Sequence, residues 1–284
     1  MRRNAWRGML LVVLVSIMAA GASAESRLDA ARRQIEASML VTGWIDVEPD
    51  GSVSGYRIDD PDALPGHVVG LVEGAVPGWR FEPVLVDGEA VAAKARMHLR
   101  VVAKKLGDDQ YILRIGSASF GEDRPGEYPS SSKLRAPDYP RDALSRGVEG
   151  TVYLVIRVGR EGGVEEVVAE QVNLRAIAER RTMEMLRESL AKAALHAARW
   201  WKFEPPTRGE AVDDPYWSVR VPVVFELDDA VEPEYGAWSS YVAGPRHAAS
   251  WVEEDSGTSS DALAAGGVYP VGLGLQLLTP LGEG

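Results

Sequence analysis

The run Trp79-Arg80-Phe81-Glu82-Pro83 returns as Trp201-Lys202-Phe203-Glu204-Pro205, and this repetition constrains the fold more than any other feature of the chain. Two aromatics one residue apart, closed by proline, suit the joint where a helix gives way to a strand. Proline ends the helix and the rings cap the core beneath it. The run does not return alone. Val47, Gly51 and Val53 recur with the same spacing as Val158, Gly162 and Val164, and Gly88 and Val91 recur as Gly209 and Val212. Ordered landmarks of this kind predict one structural unit used twice.

The segments between the landmarks give the unit its contents. Residues 41–59 alternate around Asp50-Gly51, and 150–168 alternate around Gly162-Gly163, so each half offers a β-hairpin. Leu64, Val68, Leu71, Val72 and Ala75 lie on one stripe of a helix over 64–79, bracketed by Pro65 and Pro77. The stretch 174–200 lacks Gly and Pro and predicts the strongest helix, with Ile177, Met183, Leu186, Leu190, Ala194 and Ala197 along one face. A further short helix is expected over 25–38. The expected fold class is therefore α+β: two small β-β-α-β units, each a helix packed on an antiparallel sheet. The boundaries read as a leader over 1–24, a first unit over 25–115, a linker over 116–135, a second unit over 136–228 and a low-order acidic, Gly-rich tail over 229–284. Within that tail the apolar run Val268 to Leu278 could add as a strand to an exposed sheet edge.

Composition narrows the function classes. The basic start, the apolar run and Ala22-Ser23-Ala24 read as a cleavable signal peptide, hence export to a bacterial periplasm. The competing reading is an uncleaved anchor that leaves the chain on the inner membrane facing the periplasm. Loss of Arg2, Arg3 and Arg7 with the leader would leave 28 basic residues against 42 acids, a formal charge of −14 that argues against nucleic acid or anionic membrane as partner. The chain has no cysteine, so it has no disulfide, no thiolate nucleophile and no Cys-based zinc site. His67, His98, His196 and His247 are scattered, and the acidic stretches at 59–62 and 253–255 lack the calcium-loop pattern, so neither a metal nor a cofactor is expected. No nucleophile elbow or phosphate loop is present, and no enzyme activity is expected.

The second half carries a resemblance. Tyr139-Pro140, Ala143, Gly147, Gly150-Thr151-Val152, the Val158 to Val164 turn, Trp201-Lys202-Phe203 with Pro205, Gly209 and Val221-Pro222-Val223-Val224-Phe225 together resemble the C-terminal domain of the TonB family. The first half resembles the same domain in reduced form, without the Tyr-Pro pair. The resemblance implies a non-catalytic periplasmic module that engages outer-membrane TonB-dependent receptors in support of energy-dependent transport. A short receptor segment, the TonB box, would pair with an edge strand by β-augmentation. By that carry-over the partner-binding residues are Val219, Arg220, Val221, Val223 and Phe225 on the strand Val219 to Leu227, with Tyr139 and Pro140 helping to hold the receptor. Pro222 suits an edge, since proline cannot donate into an interior ladder. Tyr139-Pro140 reads equally as turn chemistry. The alternative function is a structural or assembly protein of the cell envelope whose units pair through sheet edges, as a homodimer, without a receptor. The chain departs from a full energy transducer in lacking a Pro-rich spacer.

Overall fold

Alternation decides the strands of the first half. The computed structural model describes residues 35–105, 110–121, 126–227, 234–252, 260–264, 266–272 and 274–281. Strand β1 (Ile35–Val47) buries Met39, Val41, Ile45 and Val47, and turns through Gly51 at φ 79° into β2 (Val53–Ile58). The Asp50 carboxylate accepts from the Ser52 N–H at 2.9 Å and pins the turn. Helix α1 (Gly66–Ala75) follows, with Val68 and Val72 on its buried face. After the first aromatic run come a small exposed hairpin, β3 (Val84–Val86) and β4 (Glu89–Val91), and then the long strands β5 (Ala93–Lys105) and β6 (Tyr111–Gly121). The helix expected over 25–38 is not found where the chain is described. Ile35 to Ser38 extend β1, because each pairs with a residue of the tail, and that pairing overrides helix propensity. Residues 25–34 and the expected leader lie outside the described residues.

The second half repeats the connectivity. Strand β7 (Ser130–Lys133) and the short helix α2 (Arg141–Ser145) lead into the hairpin β8 (Gly150–Gly159) and β9 (Val164–Leu174). Helix α3 (Arg180–Ala198) lays Met183, Leu186, Leu190, Ala194 and Ala198 on the sheet. Then come β10 (Lys202–Glu204) and β11 (Tyr216–Phe225). The helix starts later than its propensity suggests: Leu174 is buried at the end of β9 opposite Gly150, and Ile177 lies exposed ahead of the helix. In both halves the first hairpin strand is central, giving β2-β1-β5 and β9-β8-β11. The fold is α+β, with two β-β-α-β units that each bury their own apolar core under one helix.

The recurrent aromatic run is the clasp of each unit. The Phe81 N–H donates to the Gly51 carbonyl at 2.8 Å, and the Phe203 N–H donates to the Gly162 carbonyl at 2.9 Å. Gly51 and Gly162 sit at φ 79° and 73°, and a Cβ on either would lie 2.0 Å from the facing Phe carbonyl oxygen. Only glycine fits both the backbone angle and the approach. Trp79, Phe81, Trp201 and Phe203 are all buried, and the Trp201 Nε1 donates to the Arg135 carbonyl at 2.8 Å.

The described tail residues join the two units. Strand β12 (Ser239–Val242) lies between β1 and β9, and β13 (Tyr269–Pro270) lies outside β11. The result is a nine-stranded sheet in the order β13-β11-β8-β9-β12-β1-β5-β6, with β2 on β1. One face carries the helices. The other face buries Ser38, Ser117, Gln171, Asn173 and Arg220. The tail bonds to this face: Gly244 N–H donates to Asn173 Oδ1 at 3.1 Å, His247 N–H to the Glu170 carbonyl at 2.8 Å, and Arg100 to the Asp261 carbonyl. Val271 bonds to β11 and Leu275 to β6, so four Cα-to-Cα steps of chain, at most about 14 Å, separate these two contacts at the sheet's two ends. The sheet is curled nearly closed.

Gly162→Ala should lower unfolding stability by about 2–3 kcal/mol, read from the denaturant midpoint. An unchanged midpoint would show that the clasp does not need the glycine.

Candidate functional site

Strand β11 alternates strictly. Val219, Val221, Val223 and Phe225 are buried in the second unit's core, so these four expected partner-binding residues present no side chain to a visitor. Arg220 points to the opposite face and is also buried, its side chain 3% exposed. It donates to both oxygens of Glu170 on β9 at 3.0 and 3.1 Å, and Arg246 from the tail joins the same carboxylate at 2.9 Å. A bidentate pair of this kind fixes β11 against β9 and the tail, and it keeps Arg220 from projecting to a partner.

The main chain of β11 is satisfied unequally on its two sides. Residues 216–225 pair with β8 along one side. On the other, the Val271 N–H donates to the Ser218 carbonyl at 2.9 Å, so the even-numbered residues of β11 aim their backbone groups outward. Strand β13 covers Val219 and Arg220. Beyond it, at Pro222 and Val224, no described strand pairs with the outer edge. Proline at 222 supplies a carbonyl but no N–H, which leaves Val224 as the outward donor of this stretch. A cavity of about 450 Å³ opens beside it, lined by Pro222, Val224, Tyr153, Tyr241, Arg100 and Arg175 among others. Burial pushes the Tyr153 and Tyr241 phenols above their usual range, so both remain neutral hydroxyls.

Tyr139 and Pro140 sit at the far end of the same strand. The Tyr139 hydroxyl donates to the Val148 carbonyl at 2.6 Å, and its ring stands edge-on to Phe225 at 5.5 Å. Pro140 directly precedes α2. Both residues therefore brace the start of the second unit against the end of β11. On their outer side runs a groove of about 650 Å³ between segment 135–141 and α3, lined by Arg135, Arg141, Lys192, His196 and Trp200 among others. Trp200 is 77% exposed and was not singled out by sequence reasoning. The available signal was its position next to Trp201 at the helix end: of two adjacent tryptophans there, only one can face the core.

Among the described residues no three His, Asp or Glu side chains converge to hold a metal ion. No helix among them is long and apolar enough to cross a membrane.

A small antiparallel sheet, one helix across it and a terminal strand braced by a Tyr-Pro pair make up the second unit. Residues 135–227 match the family described as Gram-negative bacterial TonB protein C-terminal, and this segment is a TonB C-terminal domain. Protein tonB2 of Pseudomonas aeruginosa is 34% identical over 93 residues, which is 33% of this chain and 29% of that relative. Protein TonB of Xanthomonas campestris pv. campestris is 34% identical over 100 residues, covering 35% of this chain and 38% of the relative. The matches span well under half of each relative's own length, and residues 135–227 hold β8, β9, α3, β11, Tyr139 and Pro140.

Two predictions follow from the interior. Glu170→Gln leaves the buried Arg220 guanidinium without its carboxylate and should cost about 3–5 kcal/mol in urea unfolding; a loss no larger than that of an exposed Glu→Gln change would refute the pairing's importance. Burial lowers the His98 imidazole to about 4 from an ordinary 6.5. The unfolded chain then takes up the proton first, so stability falls as pH drops from about 6.5 to about 4, by about 3 kcal/mol in all. His98→Asn should flatten that part of the pH profile, and an unchanged slope would contradict it.

Proposed function

We propose that this is a periplasmic TonB-like protein whose outer β11 edge takes up a segment of an outer-membrane TonB-dependent receptor by strand addition, in support of energy-dependent transport. The observation that carries this reading is the open edge at Pro222 and Val224. It lies on the terminal strand of a TonB C-terminal domain, is held rigid by the buried Glu170–Arg220 pair, and is flanked by Tyr139 and a cavity able to take alternate side chains of an added strand. In this reading the contribution of Val219, Val221, Val223 and Phe225 is to position the edge from within. The role is binding rather than catalysis. The first unit is proposed to be a reduced second copy of the domain, supported by its identical strand connectivity and its matching Gly51–Phe81 clasp.

One observation favours the structural alternative. Strand β12 already joins the two units edge to edge within one chain, so sheet-edge pairing is a use this fold makes of itself. Assembly without a receptor would appear as concentration-dependent dimers in sedimentation.

A TonB-box peptide titrated into the labelled chain should shift the amide signals of Ser218 to Glu226. Val224→Pro removes one outward donor while leaving the ladder with β8 intact, and should weaken binding about 3- to 10-fold. Unmoved signals at millimolar peptide would sink the receptor reading.

A further inference from the structure

The edge proposed to receive a partner is partly taken by the chain's own tail. Tyr269 and Pro270 stand opposite Arg220 and Val219, and the Val271 N–H bonds to Ser218. Tyr269 also turns its ring edge-on to His98 at 6.0 Å and donates its hydroxyl to the Ala264 carbonyl at 3.0 Å. This end of the strap is short, and Pro270 brings no N–H to it.

The other end is held far more firmly, and by the first unit. Leu275 and Leu277 are buried in the core that contains Phe81 and Phe120. Leu275 N–H donates to the Phe120 carbonyl at 3.1 Å, Glu82 N–H to the Gln276 carbonyl at 2.9 Å, and Leu278 N–H to the Arg80 carbonyl at 2.8 Å. Arg80 N–H donates to Thr279 Oγ1 at 2.8 Å. The strap thus lies along the first aromatic run, the place that β7 fills on the second one. Between the two ends Gly272 stands at φ 75° with open space around it, and Gly266 at φ 76° is likewise unencumbered on the other side of β13. Both are points where the backbone can swing without a side chain to obstruct it.

We propose that the described residues 269–272 and 274–279 form a strap that occupies the β11 edge in the resting chain and releases it there while staying anchored in the first unit. The inference rests on the β11 edge being the partner site. An incoming strand then competes with Tyr269–Val271, and the edge available to it lengthens from Pro222–Val224 to the whole of Ser218–Val224. Because the anchor is in the first unit, that unit sets how far the released segment can move.

The chain has no cysteine, so a pair can be introduced cleanly. Val219 and Pro270 face each other at a position flanked by hydrogen-bonded pairs, where side chains approach closely. The double variant Val219→Cys/Pro270→Cys is compared oxidised and reduced, by residue-resolved amide exchange and by binding of a TonB-box peptide. The expected result is that the Arg220 amide exchanges at least about 10-fold faster in the reduced form, and that peptide binding at β11 is weakened at least about 10-fold by oxidation. Val271→Pro, which deletes the bond to Ser218 and leaves the anchor untouched, should speed Arg220 exchange in the same way. Equal Arg220 exchange in all three forms, or equal peptide binding in the oxidised and reduced forms, overturns the strap. Faster Arg220 exchange with no peptide binding in any form upholds the local release and overturns the receptor reading.

Discussion

The structure depends on a single repeated contact, the Phe N–H of each aromatic run bonded to the carbonyl of a left-handed turn glycine. In each unit that bond ties the hairpin tip to the segment that leaves the helix. Once the tip and the helix exit are joined, the following strand can enter the sheet only beside the first hairpin strand, which is why β5 and β11 both pair there. The buried tryptophan and phenylalanine then close the core from above, and the helix length between the landmarks can vary without changing the plan.

The two units also share a problem. A helix covers one face of each sheet, which leaves the other face carrying Ser38 and Ser117 in the first unit and Gln171, Asn173 and Arg220 in the second. These groups could face water in an isolated unit, but the curled sheet encloses them, and enclosed polar groups need partners. Tail residues supply some of them: Gly244 bonds both Asn173 and Gln171, and Arg246 joins the Glu170 carboxylate that holds Arg220. Arg187 on α3 reaches across the edge of β9 to the Val172 and Ala243 carbonyls, which fastens the tail to the helix side as well. The tail is therefore the element that makes one body of two units, and its last segment finishes the work by lacing β11 to the first aromatic run.

Much of this was legible in the sequence, and the parts that were not share a cause. The two hairpins and both aromatic joints follow from local periodicity and turn chemistry, which act over a few residues. Ile35 to Ser38 and Leu174 have helical propensity and are strand, because their pairing partners lie more than 200 residues away in the first case and 24 in the second. The tail's polar, Gly-rich text says little by itself, since its contacts are made by main chain and by single side chains with distant residues. Val268 to Leu278 was the exception, being apolar enough to suggest an added strand. At the site, the sequence pointed to the terminal strand β11, whose outer edge is covered by a described strand only at Val219 and Arg220, but not to the inward burial of its side chains or to the Glu170–Arg220 pair. Strict alternation along β11 carried the first of these; the second required knowing that β9 lies two strands away, across β8.

The central claim is that the outer edge of β11 is where a partner strand adds. The most direct measurement is an isotope-filtered NOE spectrum of the labelled chain bound to an unlabelled TonB-box peptide. The account predicts cross-strand backbone NOEs from the peptide to Val221, Pro222, Val223 and Val224. Peptide NOEs confined to Lys192, His196 and Trp200 in the outer groove would contradict it.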